Sequence, residues 1–406
     1  MLTLAYWEDR LTALPSHLEC PKMRLLSAHD HEHPVFEGPG YIDITSATEI
    51  QFTMFAAPRD IGDAMRRLRK LQEDPYGNAN HFRLQAIDYD GTDWACGWTE
   101  PRLKGLPKVG FPLTGELNSL MTHASGHWVA TESSVELVFQ PKLDLPMSLN
   151  MVTSTTIDGG EIQRKISAGR HMLSLLGSEI TFFHSPSDKS LWITAPTSDA
   201  LSHPYLENWL SEPLRILLGQ LIYPRLVARN LGNGSAQVWL RPCPRRDSGF
   251  AGLLGDHPLA VGDELWGLYA ALLTLISNTR DDSGHPNLES HPLTRFYEEV
   301  SEATRGSRWV LCMTLASSVE GLVRLLKSRP TGSLPVENYL KGLERMGVVM
   351  AQNRVSWRDV RQAVTHGQLV SPWSTRDEDQ RILDLADLLR RLTREMLRQS
   401  SGASQP

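Results

Sequence analysis

The sequence lacks a long hydrophobic run and a basic leader. Its most apolar stretch, WGLYAALLTLIS at 266–277, is shorter than the roughly 20 apolar residues that cross a bilayer, so we predict a buried helix there. The first residues, MLTLAYWEDRLTALP, contain no basic segment followed by an apolar run. This start predicts a cytoplasmic protein without a secretory signal, and we expect no membrane partner.

Cysteine is scarce, and no two cysteines form a CxxC pair, which argues against a zinc ribbon or a thiol redox motif. The four are Cys20, Cys96, Cys243 and Cys312, and we expect reduced, mostly structural thiols. In HDHEHP at 29–34, the imidazoles of His29, His31 and His33 could line one side of a strand and bind a metal. A polar loop ended by Pro34 is the favoured interpretation, so a metal-dependent hydrolase is a distant third hypothesis.

Positive charge is not in excess. The 41 Lys and Arg residues face 47 Asp and Glu residues, giving a formal charge of −6. This balance disfavours nucleic-acid binding through a basic field over the whole surface but permits a local basic cleft. With 406 residues, 41% of them apolar, the chain is long enough for two globular domains.

The N-terminal half alternates short apolar runs with turn residues from about 35 to 200, which predicts a strand-rich region. Asp90 and Gly91 suit a tight hairpin turn, and one helix is predicted at 59–73. The tryptophans of these runs could form a stacking platform for bases or sugars, but core packing is favoured. They are Trp94, Trp98, Trp128 and Trp192.

The pattern then becomes helical. We predict a helix over 205–226, a following strand, and a linker at 242–258 that is rich in Pro, Gly and charge. Further helices are predicted at 260–278, 289–304, 306–328, 336–352, 356–366 and 376–399. The expected fold is α+β and multidomain: a β-rich domain over 1–250, an all-α bundle over 256–399, and a disordered tail over 400–406.

The most informative motif is RQAVTHG at 361–367, on a helix predicted to begin at Ser356 and to end at Gly367. On an ideal helix Arg361 and His366 point about 140° apart. Gln362 lies on the same stripe as His366, four residues earlier, and could hydrogen-bond its imidazole.

Arg358, one turn before Gln362, could contact phosphate or stand in for Arg361. A symmetric dimer would bring two copies of the helix together. Taken alone, the pair Arg361 and His366 is more often a surface arginine and a helix-end histidine. The same spacing recurs at Arg24 with His29 and at Arg280 with His285, but those pairs lie in a polar loop and in a turn-rich segment.

These residue types suit the cleavage of RNA without a metal or other cofactor. An imidazole can take a proton from a ribose 2′-hydroxyl or give one to the leaving 5′-oxygen, and arginine can pair with phosphate oxygens as charge builds. Because the nucleophile belongs to the RNA, the expected products are a 2′,3′-cyclic phosphate, or its hydrolysed form, and a 5′-hydroxyl.

RQAVTHG, followed by a long terminal helix, resembles the ribonuclease motif of HEPN domains, in which Arg precedes His by four to six intervening residues. Those motifs often read RNxxxHG, and here Gln362 stands at the place of Asn. Glu320, in the apolar helix CMTLASSVEGLVRLL, matches an acidic residue of an earlier HEPN helix. Its implied role is to orient the arginine or histidine of the site, although an exposed helix residue is an equal alternative.

The strand-rich half joined to this bundle resembles ApeA-like HEPN proteins of prokaryotic antiphage defence. The resemblance implies a homodimer with a composite ribonuclease site, single-stranded RNA or tRNA loops as substrate, and an N-terminal half that senses infection. The alternative is a non-catalytic module that binds a ligand and dimerises.

Overall fold

The fold, obtained as a computed structural model, describes residues 2–28, 30–105, 111–147, 149–157, 160–185, 189–246, 249–255, 262–281, 283–286, 290–327 and 336–402. Within these residues one antiparallel sheet occupies the first 240 positions, and a helical bundle follows it. The predicted α+β architecture is therefore confirmed.

The sheet has fifteen strands, and every described pairing is antiparallel. The strands are β1 Ser16–Ser27, β2 Asp30–Ser46, β3 Glu49–Pro58, β4 Phe82–Ile87, β5 Asp93–Thr99, β6 Arg102–Leu103, β7 Phe111–Glu116, β8 Leu120–Ser125, β9 Ser133–Phe139, β10 Leu149–Ile157, β11 Gly160–Leu175, β12 Ser178–His184, β13 Leu191–Pro196, β14 Leu226–Leu231 and β15 Ser235–Leu240. Their order across the sheet is β10-β11-β12-β13-β9-β14-β15-β8-β5-β4-β1-β2-β3-β7-β6.

The helices are α1 Leu4–Thr12, α2 Ile61–Glu73, α3 Leu206–Trp209, α4 Glu212–Leu218, α5 Gly262–Asn278, α6 Pro292–Ala303, α7 Arg308–Leu326, α8 Val336–Arg345, α9 Ala351–Thr365 and α10 Thr375–Gly402. The predicted helix at 59–73 and those of the C-terminal half are present, with shifted ends. Residues 400–402 of the expected tail belong to α10, and 403–406 lie outside the described residues.

Local turn chemistry explains several connections. Asp90 and Gly91 join β4 to β5 as predicted, with Gly91 at a φ of +78° that favours glycine. The helix expected over 205–226 is instead α3 and α4, because Gly219 ends α4 in a left-handed conformation, and β14 begins at Leu226.

The segment expected to be a polar loop ended by Pro34 differs from that prediction. Strand β2 begins at Asp30 and continues through Pro34, which lies opposite Leu26 of β1 where the pairing register shifts. A proline is tolerated at such an irregularity because the ladder there does not require its missing N–H. His29 lies outside the described residues.

A second difference is the first helix, which the sequence analysis does not predict although Leu4, Trp7 and Leu11 have the spacing of one helix face and are buried. The buried carboxylate of Glu136 on β9 accepts hydrogen bonds from the backbone N–H groups of Thr3 (2.9 Å) and Leu4 (2.8 Å). Asn230 of β14 donates a third hydrogen bond to it (3.0 Å). A carboxylate stabilises the start of a helix, so α1 depends on a residue more than 130 positions away.

Two clusters of buried apolar side chains hold the fold together. One lies among β1–β5, β7, β8, β14 and β15 and includes α1 and α2. The other joins β9, β12 and β13 to helices α3–α10, and it therefore extends across residue 250. Strand β9 contributes to both, because Leu137 and Val138 point to opposite faces of the sheet. The helical bundle thus packs directly on one face of the sheet.

Helix α7 lies at the centre of the bundle, against α6, α8, α9 and α10. Its face formed by Cys312, Leu315, Val319 and Leu322 is fully buried. With a mean hydropathy of 1.5, α7 is the single helix of the described part of the chain that is long and apolar enough to cross a membrane.

Candidate functional site

Helix α9 carries the RQAVTHG motif and is fixed by polar contacts at its buried face. The Trp357 indole donates a hydrogen bond to the carbonyl of Ala316 on α7 (3.3 Å). Ser356, predicted to begin the helix, lies inside it instead, and its hydroxyl donates to the Asp384 carboxylate of α10 (2.7 Å). The helix begins five residues earlier, at Ala351, and Asn353 in its first turn donates to the carbonyl of Asp384 (2.6 Å).

The end of α9 agrees with the prediction. His366 is the first residue to leave the helix, and Gly367 follows with a φ of +73°. The N–H of Gly367 donates to the carbonyl of Val364 (2.9 Å), and the N–H of Gln368 donates to that of Ala363 (3.1 Å). This is the Schellman arrangement that a glycine favours, so the backbone at His366 is set by local hydrogen bonds.

Arg361 is held from two sides. Its Nε donates to Oε2 of Glu320 (3.1 Å), and its Nη1 donates to the Thr365 hydroxyl (2.8 Å). That hydroxyl in turn donates to the carbonyl of Arg361 (2.7 Å). The Arg361 side chain remains 46% exposed, so its remaining N–H groups are accessible to a ligand.

Glu320 also binds a second arginine. Its Oε1 accepts a hydrogen bond from Nη2 of Arg324, one turn further along α7 (2.7 Å). The Glu320 side chain is only 18% exposed, and one carboxylate therefore balances two guanidinium groups. The site has a local excess of one positive charge, although the whole chain is acidic.

His366 lies on the solvent side of the same helix end. It is exposed, and its imidazole makes no hydrogen bond with any residue that the structure describes. The expected bond from Gln362 is not formed within the described chain: the two residues are linked only by the backbone, His366 N–H to Gln362 carbonyl (2.9 Å). No hydrogen bond joins the side chains of Arg361 and His366 within the described chain.

Arg358 belongs to a separate polar group. It pairs with Asp359 (3.2 Å), which also lies 3.5 Å from Arg381 of α10. The guanidinium of Arg381 in turn packs over the Trp373 ring, 4.0 Å from its centroid. Arg358 is thus already paired with a carboxylate and does not replace Arg361 beside Glu320.

The two competing arginine–histidine pairs have other surroundings. Arg24 of β1 forms an ion pair with Glu37 (3.3 Å), and His29 is outside the described residues. Arg280 donates to the Ser277 carbonyl at the end of α5 (2.6 Å), and His285 lies in the turn that follows. Arg280 and His285 lie between α5 and α6, outside the helices of the bundle.

The described ranges offer no candidate metal-binding cluster and no activated cysteine. Those ranges contain no group of three or more His, Cys, Asp or Glu side chains that could hold a metal ion. All four cysteines are buried and reduced, and burial raises the pKa of the Cys20 and Cys312 thiols to about 12. A thiol of such high pKa is a poor nucleophile, which agrees with a structural role.

Two residues of the site, Thr365 and Arg324, are additions to the sequence-based set. Each lies four residues after a predicted member, Thr365 after Arg361 and Arg324 after Glu320. That spacing places side chains on one helix stripe and is a signal that sequence reasoning could use.

Comparisons of the sequence with protein-family models and curated proteins, and of the fold with solved structures, found no match.

Proposed function

We propose that this protein is a metal-independent endoribonuclease of antiphage defence in which Arg361 and His366 carry the reaction. The supporting observation is the Arg361 guanidinium, held by Glu320 and Thr365 yet exposed, with the exposed His366 five residues later at the end of the same helix. An arginine fixed in this way can stabilise charge on a phosphate with little reorganisation. The imidazole would act as general base or acid on the ribose 2′-hydroxyl and the 5′-oxygen.

The active unit in this proposal is a homodimer. Because Arg361 and His366 diverge around α9, a second copy facing the helix would supply the missing partner of each pair. Leu369 and Val370, just after His366, are among the large apolar side chains most exposed on the chain. Exposed apolar side chains beside a polar site favour contact with another protein surface.

The substrate would be single-stranded RNA or an exposed tRNA loop, since in-line attack needs a flexible backbone. Glu320, Gln362 and Arg358 are proposed supporting residues, of which Glu320 has the closest contact with Arg361. The N-terminal sheet would bind an activating trigger in the cytoplasm. Because the bundle packs against this sheet, a change there can reach the helices that carry the site.

A non-catalytic binding and dimerisation module is the second candidate. The observation that favours it is that Arg361 and His366 share no hydrogen bond and no side-chain partner within the described chain. Expression in cells distinguishes the two hypotheses: the wild type should fragment RNA and stop growth, and His366→Ala should do neither at equal protein level. His285→Ala is the matched control and should behave as wild type. Equal RNA integrity with wild type and His366→Ala in phage-infected cells would contradict the nuclease.

Complementation tests the composite site. A cell that produces both Arg361→Ala and His366→Ala chains would form mixed dimers with one site whose arginine and histidine are both intact. We expect toxicity and RNA cleavage to return on co-expression, while each variant alone stays inactive. No recovery, with mixed dimers demonstrated by differential tagging, would show that the pair acts within one chain.

A further inference from the structure

Arg324 is a charged group that the proposed reaction does not yet use. Its side chain is 72% exposed on α7 and forms one hydrogen bond with a described residue, to Oε1 of Glu320. Arg361 binds the other oxygen of the same carboxylate. The two guanidinium groups therefore lie side by side, within about 8 Å of each other, which is the reach of two hydrogen bonds across one carboxylate.

Stability does not explain this arrangement. An exposed ion pair four residues apart on a helix contributes little, because solvent screens it and a long side chain must be ordered. Arg324 also retains N–H groups without a partner among the described residues, and the same holds for Nη2 of Arg361. Two neighbouring arginines with free donors form a surface that fits two anionic groups joined by a short linker.

We propose that Arg324 binds a second phosphate of the substrate, next to the phosphate bound by Arg361, so that the ligand is a single-stranded polynucleotide lying across the exposed side of α7. This inference rests on the proposed function, since it takes Arg361 as the residue at the scissile phosphate. Glu320 sets the spacing of the two guanidinium groups. Its negative charge also reduces the repulsion between them, so they can stay adjacent.

Binding to a strand that cannot be cleaved tests the inference apart from catalysis. The probe is a fluorescent 2′-O-methyl oligoribonucleotide, which lacks the free hydroxyl needed for attack. Its affinity would be measured by anisotropy across a salt series for wild type, Arg324→Gln and Arg398→Gln. Arg398 is the matched control, because it is 73% exposed and paired with Glu395 on α10 at 2.7 Å.

Loss of one phosphate contact reduces the slope of log affinity against log salt by about 0.7 for a single strand. We expect Arg324→Gln to show that reduced slope and about 10-fold weaker binding at low salt. Arg324→Lys should lie between Arg324→Gln and wild type because it keeps the charge but loses the planar fork. Arg398→Gln should match wild type.

Any of three results would overturn the inference: Arg324→Gln leaves the slope unchanged, Arg398→Gln has an equal effect, or binding by the wild type does not depend on salt. The proposed nuclease fails on a different result, namely equal cleavage of unmodified RNA by wild type and His366→Ala. On that unmodified RNA, Arg324→Gln should raise KM with little change in kcat, since a flanking contact binds ground state and transition state alike. A dinucleotide, which has one phosphate, should be bound equally by wild type and Arg324→Gln.

Discussion

The Phe296 ring of α6 occupies the space in which any side chain at Gly321 of α7 would have to lie. A Cβ added to Gly321 would come within 2.8 Å of the ring carbon Cε1. Gly321 directly follows Glu320 in sequence. This close packing therefore fixes the distance between α6 and α7 next to the residue that holds Arg361. The absence of a side chain at Gly321 therefore allows α6 and α7 to pack closely one residue from Glu320.

Gly321→Ala should therefore destabilise the protein by about 1–2 kcal/mol, because overpacking of the Phe296 contact outweighs the gain in helix propensity. Gly342→Ala is the control: it lies in α8 with no atom near an added Cβ, and it should stabilise by up to about 1 kcal/mol. Urea unfolding measures both variants. Equal shifts of the two midpoints in one direction would contradict close packing at Phe296.

Glu320→Gln should keep the fold and lower RNA cleavage by about 10-fold, because the amide holds Arg361 less strongly than the carboxylate. The ion pairs of Glu320 involve exposed arginines, so the thermal midpoint should shift little. Glu264→Gln breaks a comparable inter-helix pair with Arg394 (2.5 Å) elsewhere in the bundle and should leave cleavage unchanged. If both variants lose activity equally, the effect comes from stability and not from Arg361.

The contact between Glu320 and Arg361 is also the part of the site that sequence reasoning anticipates best. The resemblance to HEPN domains implies an acid that orients the arginine or the histidine, and in the structure Glu320 contacts Arg361. Its catalytic role stays a prediction. The helix end at Gly367 and the hairpin at Gly91 follow from the tolerance of glycine for positive φ, so local sequence is enough to predict them.

Other features depend on partners that are distant in sequence. The start of α1 is stabilised by Glu136, and the first turn of α9 is held by the hydrogen bond from Asn353 to the Asp384 carbonyl. The Gln362–His366 bond expected from a regular helix is not formed within the described chain, because His366 has already left the helix. The helix predicted over 205–226 ends earlier, at Gly219, and Leu226 instead begins β14, whose hydrogen bonds come from the neighbouring strands β9 and β15.

His291 predicts a pH dependence of stability. Burial lowers the pKa of its imidazole to about 4, and its Nδ1 accepts a hydrogen bond from the N–H of Leu293 at the start of α6. Above pH 6.5 the imidazole is neutral in both the folded and the unfolded chain. As the pH falls from 6.5 towards 4, the unfolded chain binds a proton that the folded chain does not bind. The free energy of unfolding therefore falls by on the order of 3 kcal/mol.

His291→Asn keeps an acceptor for the start of α6 and removes the titration. The free energy of unfolding of the two proteins should therefore converge as the pH falls from 7.5 to 4.5. The nearby Glu212 carboxyl, whose pKa burial raises, acts in the opposite direction but is present in both proteins. Parallel pH curves for the two proteins would show that His291 does not titrate in the way its burial indicates.

Arg225 offers a test of how the first strands are joined to the rest of the sheet. It is buried, and its guanidinium donates to the carbonyls of Ala47 (2.8 Å), Arg241 (2.8 Å) and Ser46 (3.3 Å). Arg225→Met keeps the volume but leaves these acceptors unpaired, so we expect a loss of about 3 kcal/mol in urea unfolding. Activity per folded molecule should stay the same, and a selective loss of cleavage would contradict a purely structural role.

The apolar cluster that joins β9, β12 and β13 to the helices limits how a signal at the sheet could activate the bundle. Separating the sheet from the bundle would expose a continuous hydrophobic interior. The sheet therefore cannot act as a lid that detaches to release an active bundle. A signal received by the sheet has to arrive at α9 as a small displacement of packed side chains. The inactive and the active protein would then be two packing arrangements of one cooperative fold. A bundle transplanted onto another sheet would lose both its fold and its regulation.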